Sequence, residues 1–154
     1  MSSEAALRQM AKEKLGPFGK LERLEQKMGE GTPDLLWVLC LPGYPAATGL
    51  MELKHLSAFP MLPDSPCTIP TLTRAQANWA RDWETAHGTS PLLLQVGSTY
   101  CLFAGWQVGQ LFLDNHHTKA QLLAAAVVVG NGEFPTAAIL KALVRKENYP
   151  PLQR

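Results

Sequence analysis

Asp34-Leu35-Leu36-Trp37-Val38-Leu39-Cys40, a turn at Pro42-Gly43-Tyr44-Pro45, and then Gly49-Leu50-Met51-Glu52-Leu53-Lys54-His55-Leu56 form the stretch that decides the fold. After Asp34 the first run is apolar at every position, the pattern of a central strand buried on both faces. The second run is strand-like too, and the turn between them makes a hairpin with antiparallel arms. Side chains two apart on a strand share a face. Glu52 and Lys54 therefore project together, with Met51 and Leu53 turned the other way. Asp34 follows the turn from Gly29 to Pro33. If the two runs pair, it meets Glu52 and Lys54 on one face.

Working outward, Leu7, Met10, Ala11 and Leu15 recur at helical spacing and predict a helix over 3–15. Glu4 lies on the same inward stripe. Gly16-Pro17-Phe18-Gly19 ends that helix, and 20–26 reads as a strand. Residues 57–72 form a loop carrying Pro60, Pro63, Pro66 and Pro70. A loop of that length in a compact domain is functional or mobile. A helix follows over 73–87, stopped by Gly88. Strands are expected over 92–96 and 100–104, joined by a turn at Gly97-Ser98-Thr99, and 107–113 continues the sheet. Residues 118–128 read equally as helix or strand, and a last helix spans 135–146 with Pro135 near its start. The order is that of an α/β protein, a mixed central sheet flanked by helices, and the 154 residues fit a single domain over 1–154.

Two carboxylates and one ammonium on one face of a sheet call for a cation, because the carboxylates repel each other. Magnesium takes oxygen ligands and keeps waters and substrate phosphate oxygens in its shell. It lowers the pKa of a bound water and neutralises charge on a phosphate. A plainer arrangement fits the same spacing: Asp34 caps a turn, and Glu52 and Lys54 make an exposed ion pair on an edge strand. Similarly, Thr73-x-x-Gln76 reads as a helix-capping box.

The composition is that of an ordinary globular protein, with 46% hydrophobic and 18% charged residues. Cys40, Cys67 and Cys101 are odd in number and lack a C-x-x-C pair, which argues against a disulfide framework or a zinc site and for a reducing compartment, the cytoplasm. No signal peptide is visible, and the longest apolar run, 122–130, is too short to span a bilayer, so no membrane partner is expected. A net charge of +1 argues against a protein that coats nucleic acid, while leaving room for a local basic patch such as the tail from Lys141 to Arg154.

Gly31-Thr32-Pro33-Asp34, a hydrophobic strand, and then Met51-Glu52-Leu53-Lys54 resemble the PD-(D/E)XK nuclease signature. Leu72-Thr73-Arg74-Ala75-Gln76-Ala77-Asn78-Trp79 is similar to the helix that carries a glutamine in the VRR-NUC and Holliday-junction-resolvase branch. The run from 20 to 104 resembles small nucleases of this branch in tailed phages and prophages. The resemblance implies a restriction-endonuclease-like core and a Mg2+-dependent DNA endonuclease, with Mn2+ able to substitute. By position, Asp34 and Glu52 would ligate the metal together with the backbone carbonyl of Leu53. Lys54 would be the catalytic lysine, and Gln76 would contact the metal-bound water or the DNA backbone. The family often adds a glutamate. Glu4 on the first helix and Glu25, in Arg23-Leu24-Glu25, both fit, while Glu22 and Glu30 read as solvated. The hairpin between Asp34 and Glu52 is longer than in the shortest family members, and a shifted register would separate the carboxylates. The implied substrate is branched DNA, cut by a homodimer in the cytoplasm (the host's, for a phage protein), with segment 120–130 and the last helix as the dimer interface. A nuclease fold that binds DNA or builds a virion without cutting, and a general nicking or flap nuclease, are the other readings.

Elsewhere the sequence offers less. Adjacent His116 and His117 point apart and read as a polar loop. Ser90 and Ser98 lack a nucleophile-elbow context, and there is no Gly-rich phosphate loop. Trp79 and Trp83, four apart on one helix, are expected in the core.

Overall fold

The computed structural model describes residues 3–24 and 29–144. Helix α1 (Glu4–Leu15) is started by Ser3, whose Oγ accepts the Ala6 amide at 3.1 Å. After a short 3-10 turn come β1 (Gly19–Arg23), β2 (Leu35–Leu39) and β3 (Ala47–Leu56). Helix α2 (Arg74–Thr85) crosses over to β4 (Leu92–Val96), which turns into β5 (Thr99–Phe103). Helix α3 (Lys119–Ala125), β6 (Val128–Asn131) and α4 (Thr136–Val144) complete the described chain. The six strands form one mixed sheet in sequence order, antiparallel throughout except for the parallel β3–β4 pair. This is an α/β protein.

The middle of the sheet, β3 to β5, is buried on both faces. Met51, Leu53, Leu93, Leu102 and Val128 lie in one core with Leu7, Ala11 and Leu15 of α1 and Ile139, Leu140 and Leu143 of α4. Leu92, Leu94, Cys101 and Phe103 lie in the other, second core with Ala77 of α2 and Leu122 of α3. Strand β2 is not buried on both faces, against the expectation from its unbroken apolar run. Leu35, Trp37 and Leu39 are buried while Val38 on the other face is 45% exposed, because the second core holds no residue of β1 or β2. Each fully buried leucine contributes roughly 1.5–3 kcal/mol, so the two cores fix the strand faces and, through them, the direction of every polar side chain on β3. The apolar side of α4 is buried in its own chain, leaving little of it for a dimer contact.

Several expectations shift. The segment 107–113 does not continue the sheet. Gly105–Gln107 is a 3-10 turn and Gln110–Asp114 a single π turn, and Val108, Leu111 and Phe112 bury themselves against the second core. The ambiguous run 118–128 resolves into α3 followed by β6, with Thr118 and Gln121 forming a capping box at the helix start. Neither Trp79 nor Trp83 is core: Trp79 is half-buried and Trp83 39% exposed, because Ala77 and Ala80 form the buried side of α2. Helix α2 is terminated ahead of Gly88, by His87 with φ 68°. Gly88 has another job, since a Cβ there would stand 2.1 Å from the Trp83 indole Nε1. The first strand ends at Arg23, and Glu25 lies outside the described residues, as does the tail beyond Val144. Cys40, Cys67 and Cys101 are free thiols. No described helix is long and apolar enough to cross a membrane.

Candidate active site

Strand β3 changes partner halfway along. Its first half pairs antiparallel with β2, from Ala47–Leu39 to Met51–Leu35. Its second half pairs parallel with β4, from Glu52–Leu92 to Leu56–Val96. One rung beyond Leu35–Met51, the register sets Asp34 opposite Glu52, and opposed residues share a face. The long hairpin loop therefore leaves the register intact.

A hydrogen bond fixes Asp34 to this junction. The Glu52 amide points toward β4, donating to the Pro91 carbonyl at 3.0 Å. Alternation turns the Leu53 amide to the opposite edge, where it donates to Asp34 Oδ2 at 2.8 Å. The Leu53 carbonyl faces the same edge by the same alternation. Asp34 is thus bound to β3 through its carboxylate, and the Asp34 carbonyl accepts the Leu24 amide at 2.8 Å.

Glu52 and Lys54 are not an exposed edge pair. They are 6% and 4% exposed, enclosed between the sheet and the α2 side of the molecule. Lys54 Nζ donates to the Thr71 carbonyl at 3.0 Å and stands 3.7 Å from Glu52 Oε1 and 3.8 Å from Glu4 Oε1. The Thr71 hydroxyl reaches Glu4 Oε1 at 3.5 Å. Glu4 thus comes to the site from the first turn of α1, as its place on the inward stripe suggests, but it faces the ammonium.

Gln76 serves two ends. Its Oε1 accepts the Thr73 amide at 3.0 Å while the Thr73 hydroxyl accepts the Gln76 amide at 3.1 Å, the reciprocal pair of a capping box. Its Nε2 donates to Glu52 Oε1 at 3.1 Å. The cap and the site contact are made by opposite ends of one amide group, so the two readings of Thr73-x-x-Gln76 hold together.

The turn before Asp34 is seated on the same helix. Gly31 has φ +84°, and a Cβ there would come within 2.5 Å of the Ala75 backbone. Only glycine allows this approach. Between turn and helix lies a cavity of about 370 Å³ lined by Gly29, Glu30, Gly31, Thr32, Thr73 and Gln76.

Burial first, and then the neighbouring Asp34 carboxylate with its hydrogen bond, push the Glu52 carboxyl up to about 9, against the opposing pull of Lys54. Two acidic groups this close with one ammonium between them and Glu4 leave excess negative charge whenever both ionise. Among the described residues no group of three or more His, Cys, Asp or Glu side chains is placed to hold a metal ion by itself. Magnesium fits the pair nonetheless: it favours hard oxygen donors, and one or two carboxylates with waters and phosphate oxygens suffice for it. Of the residues singled out in the sequence, Asp34, Glu52, Leu53, Lys54, Gln76 and Glu4 converge. The Thr71 carbonyl and the Gly31–Ala75 contact are additions that residue types did not signal. His116 and His117 lie in a loop apart from these contacts, with His117 Nδ1 3.0 Å from the Leu111 carbonyl.

No protein-family model matches the chain, and no curated protein matches it.

Proposed function

We propose that this protein is a magnesium-dependent DNA endonuclease with a restriction-endonuclease-like core, hydrolysing phosphodiester bonds in branched DNA. The observation that carries the reading is the convergence of Asp34, buried Glu52 and buried Lys54 where β3 exchanges β2 for β4. The mixed sheet with helices on both faces is compatible with that core. A bound Mg2+, or Mn2+ in its place, would activate water and neutralise charge on the phosphate.

Asp34 and Glu52 would hold the ion, with the Leu53 carbonyl completing the set from the same edge. Asp34 is preoriented by the Leu53 amide and Glu52 by Gln76. Lys54 is held by the Thr71 carbonyl within reach of Glu52, where its charge steadies a phosphate oxygen as negative charge develops. Such preorganised charges act without further rearrangement at the moment of reaction. The cavity between the Gly29–Thr32 turn and the α2 N-terminus offers the DNA backbone an approach to Gln76. A four-way junction has two-fold symmetry, so a homodimer would present one site to each of two opposed strands.

The test compares cleavage of a four-way junction, a flap and a linear duplex in Mg2+ and in Mn2+. The junction should be cut fastest, and Asp34→Asn and Lys54→Ala should each abolish cutting in a folded protein. Purified protein that cuts none of the three with either metal would overturn the reading.

A further inference from the structure

We propose that Met61 and Leu62, at the tip of the proline-rich loop, form an apolar wedge that seats against unstacked DNA bases at a branch point. The inference rests on the nuclease reading for the identity of its partner. Met61 is 100% exposed and Leu62 69% exposed, between Pro60 and Pro63. Two adjacent large apolar side chains held largely in water forgo the burial that the core leucines obtain.

The tip is built rather than frayed. The Ser65 amide donates to the Leu62 carbonyl at 3.1 Å, closing a turn with Pro63 at its second position. The loop behind it is anchored. Cys67, Ile69 and Leu72 are buried in the second core, Pro66 bridges to Thr118, and the Cys67 amide donates to the His117 carbonyl at 2.9 Å. On the other flank, Lys119 Nζ sits 4.9 Å from the centre of the Phe59 ring. The loop therefore presents its apolar pair on a fixed base.

The loop is also tied to the candidate active site. It leaves the end of β3, returns through Thr71, whose carbonyl holds Lys54, and runs directly into the Thr73–Gln76 cap. Whatever the tip holds is therefore held by the same segment that fixes Lys54 and Gln76. The chemistry of the tip selects base faces. A thioether packs well on aromatic rings, and apolar side chains are the ones that proteins insert between base steps. Asp64, beside the tip, discourages phosphate there, while Lys119 at the loop's base offers a cation to the backbone. An intact duplex hides its base faces in the stack. A branch point exposes them.

The experiment places 2-aminopurine at the branch of a four-way junction and at a matched site in a linear duplex. Binding is followed by fluorescence in Ca2+, so that no cleavage is needed. Native protein should brighten the junction probe and not the duplex probe. Met61→Ser with Leu62→Ser should remove the brightening and weaken junction binding roughly tenfold, with an unchanged melting temperature, and Met61→Phe should retain both signals. Equal brightening by native and serine variants, or none by a native protein that cuts junctions, sinks the wedge and leaves the nuclease. Brightening that the serine variant loses, in a protein that cuts nothing, supports the wedge and sinks the nuclease. A native dimer that becomes monomeric in the serine variant would show the tip to be a contact between copies, and would overturn the proposal.

Discussion

The Leu53 amide and the Asp34 carboxylate are joined by a 2.8 Å hydrogen bond that runs from the main chain of one strand to the side chain just ahead of another. It satisfies an amide that lies past the end of the β2–β3 ladder, and it aims Asp34 at Glu52. An Asn at position 34 can still accept this bond through its carbonyl, whereas Ala cannot. Asp34→Asn should therefore melt near the native temperature, and Asp34→Ala should lose about 1–3 kcal/mol for the orphaned amide. Both should lose at least ~10²-fold in cleavage rate if the metal reading holds. Thermal melts and single-turnover cleavage measure the two effects separately.

Glu52 gives a pH dependence of definite sign. Its carboxyl is raised from 4.5 to about 9, so in the metal-free protein the folded state binds a proton that the unfolded chain releases. The contribution is complete below about pH 4.5 and is lost as pH rises through about 9. Urea unfolding in EDTA from pH 5 to 9 should show stability falling with pH, and Glu52→Gln should flatten that slope. Because a ligating carboxylate must ionise, Mg2+ binding should release a proton and tighten as pH rises over the same range. Calorimetry in two buffers of different ionisation enthalpy would show the proton; its absence would count against Glu52 as a ligand.

Gln76 allows the cap and the site to be separated. Gln76→Glu keeps an acceptor for the Thr73 amide, preserving the capping box, but replaces the donor to Glu52 with a further carboxylate. The expected outcome is native helix content with cleavage reduced by ~10²-fold or more, since one preorganised polar contact at a reacting centre is worth about that. Gln76→Ala should lose both functions, adding a stability cost of about 1 kcal/mol for the damaged cap. Equal activity of Gln76→Glu and native protein would reduce Gln76 to a capping residue.

Gly31→Ala meets two obstacles at once: a φ of +84° and a Cβ within 2.5 Å of the Ala75 backbone. A loss of about 2 kcal/mol or more is expected in chemical denaturation. Gly29→Ala is the control. Its φ of +107° is also strained, but nothing stands within 4 Å of a Cβ there, so its smaller loss measures the backbone term alone.

Much of this arrangement was legible in the chain. The β2–β3 hairpin follows from an unbroken apolar run, a Pro-Gly turn and a second apolar run, and the shared face of Glu52 and Lys54 follows from their spacing. Glu4 was found because it rides the Leu7–Ala11 stripe of α1. What escaped was either short or mediated by backbone. Val108, Leu111 and Phe112 carry an i, i+3, i+4 spacing that marks the helical segment, yet the run is too brief to outweigh the strand-like look of its apolar residues. β6 has four residues, and its valines merge with the alanines that end α3. Trp83 matches Trp79 in period, but with alanines forming the buried side of α2 its large ring is set at the rim. The Thr71 carbonyl that holds Lys54 has no side-chain signature at all.

The exchange of partners along β3 has a consequence for how the protein comes into being. The hairpin with β2 joins near neighbours in sequence and can form early, but it delivers only Asp34 and the first half of β3. Glu52 and Lys54 are fixed by β4, which follows only after a proline-rich excursion and a full helix, and contacts of such long separation are slow to close. A nascent or partly unfolded chain would hold one half of the candidate site without the other. Under the nuclease reading proposed above, cleavage would thereby be reserved for the finished molecule.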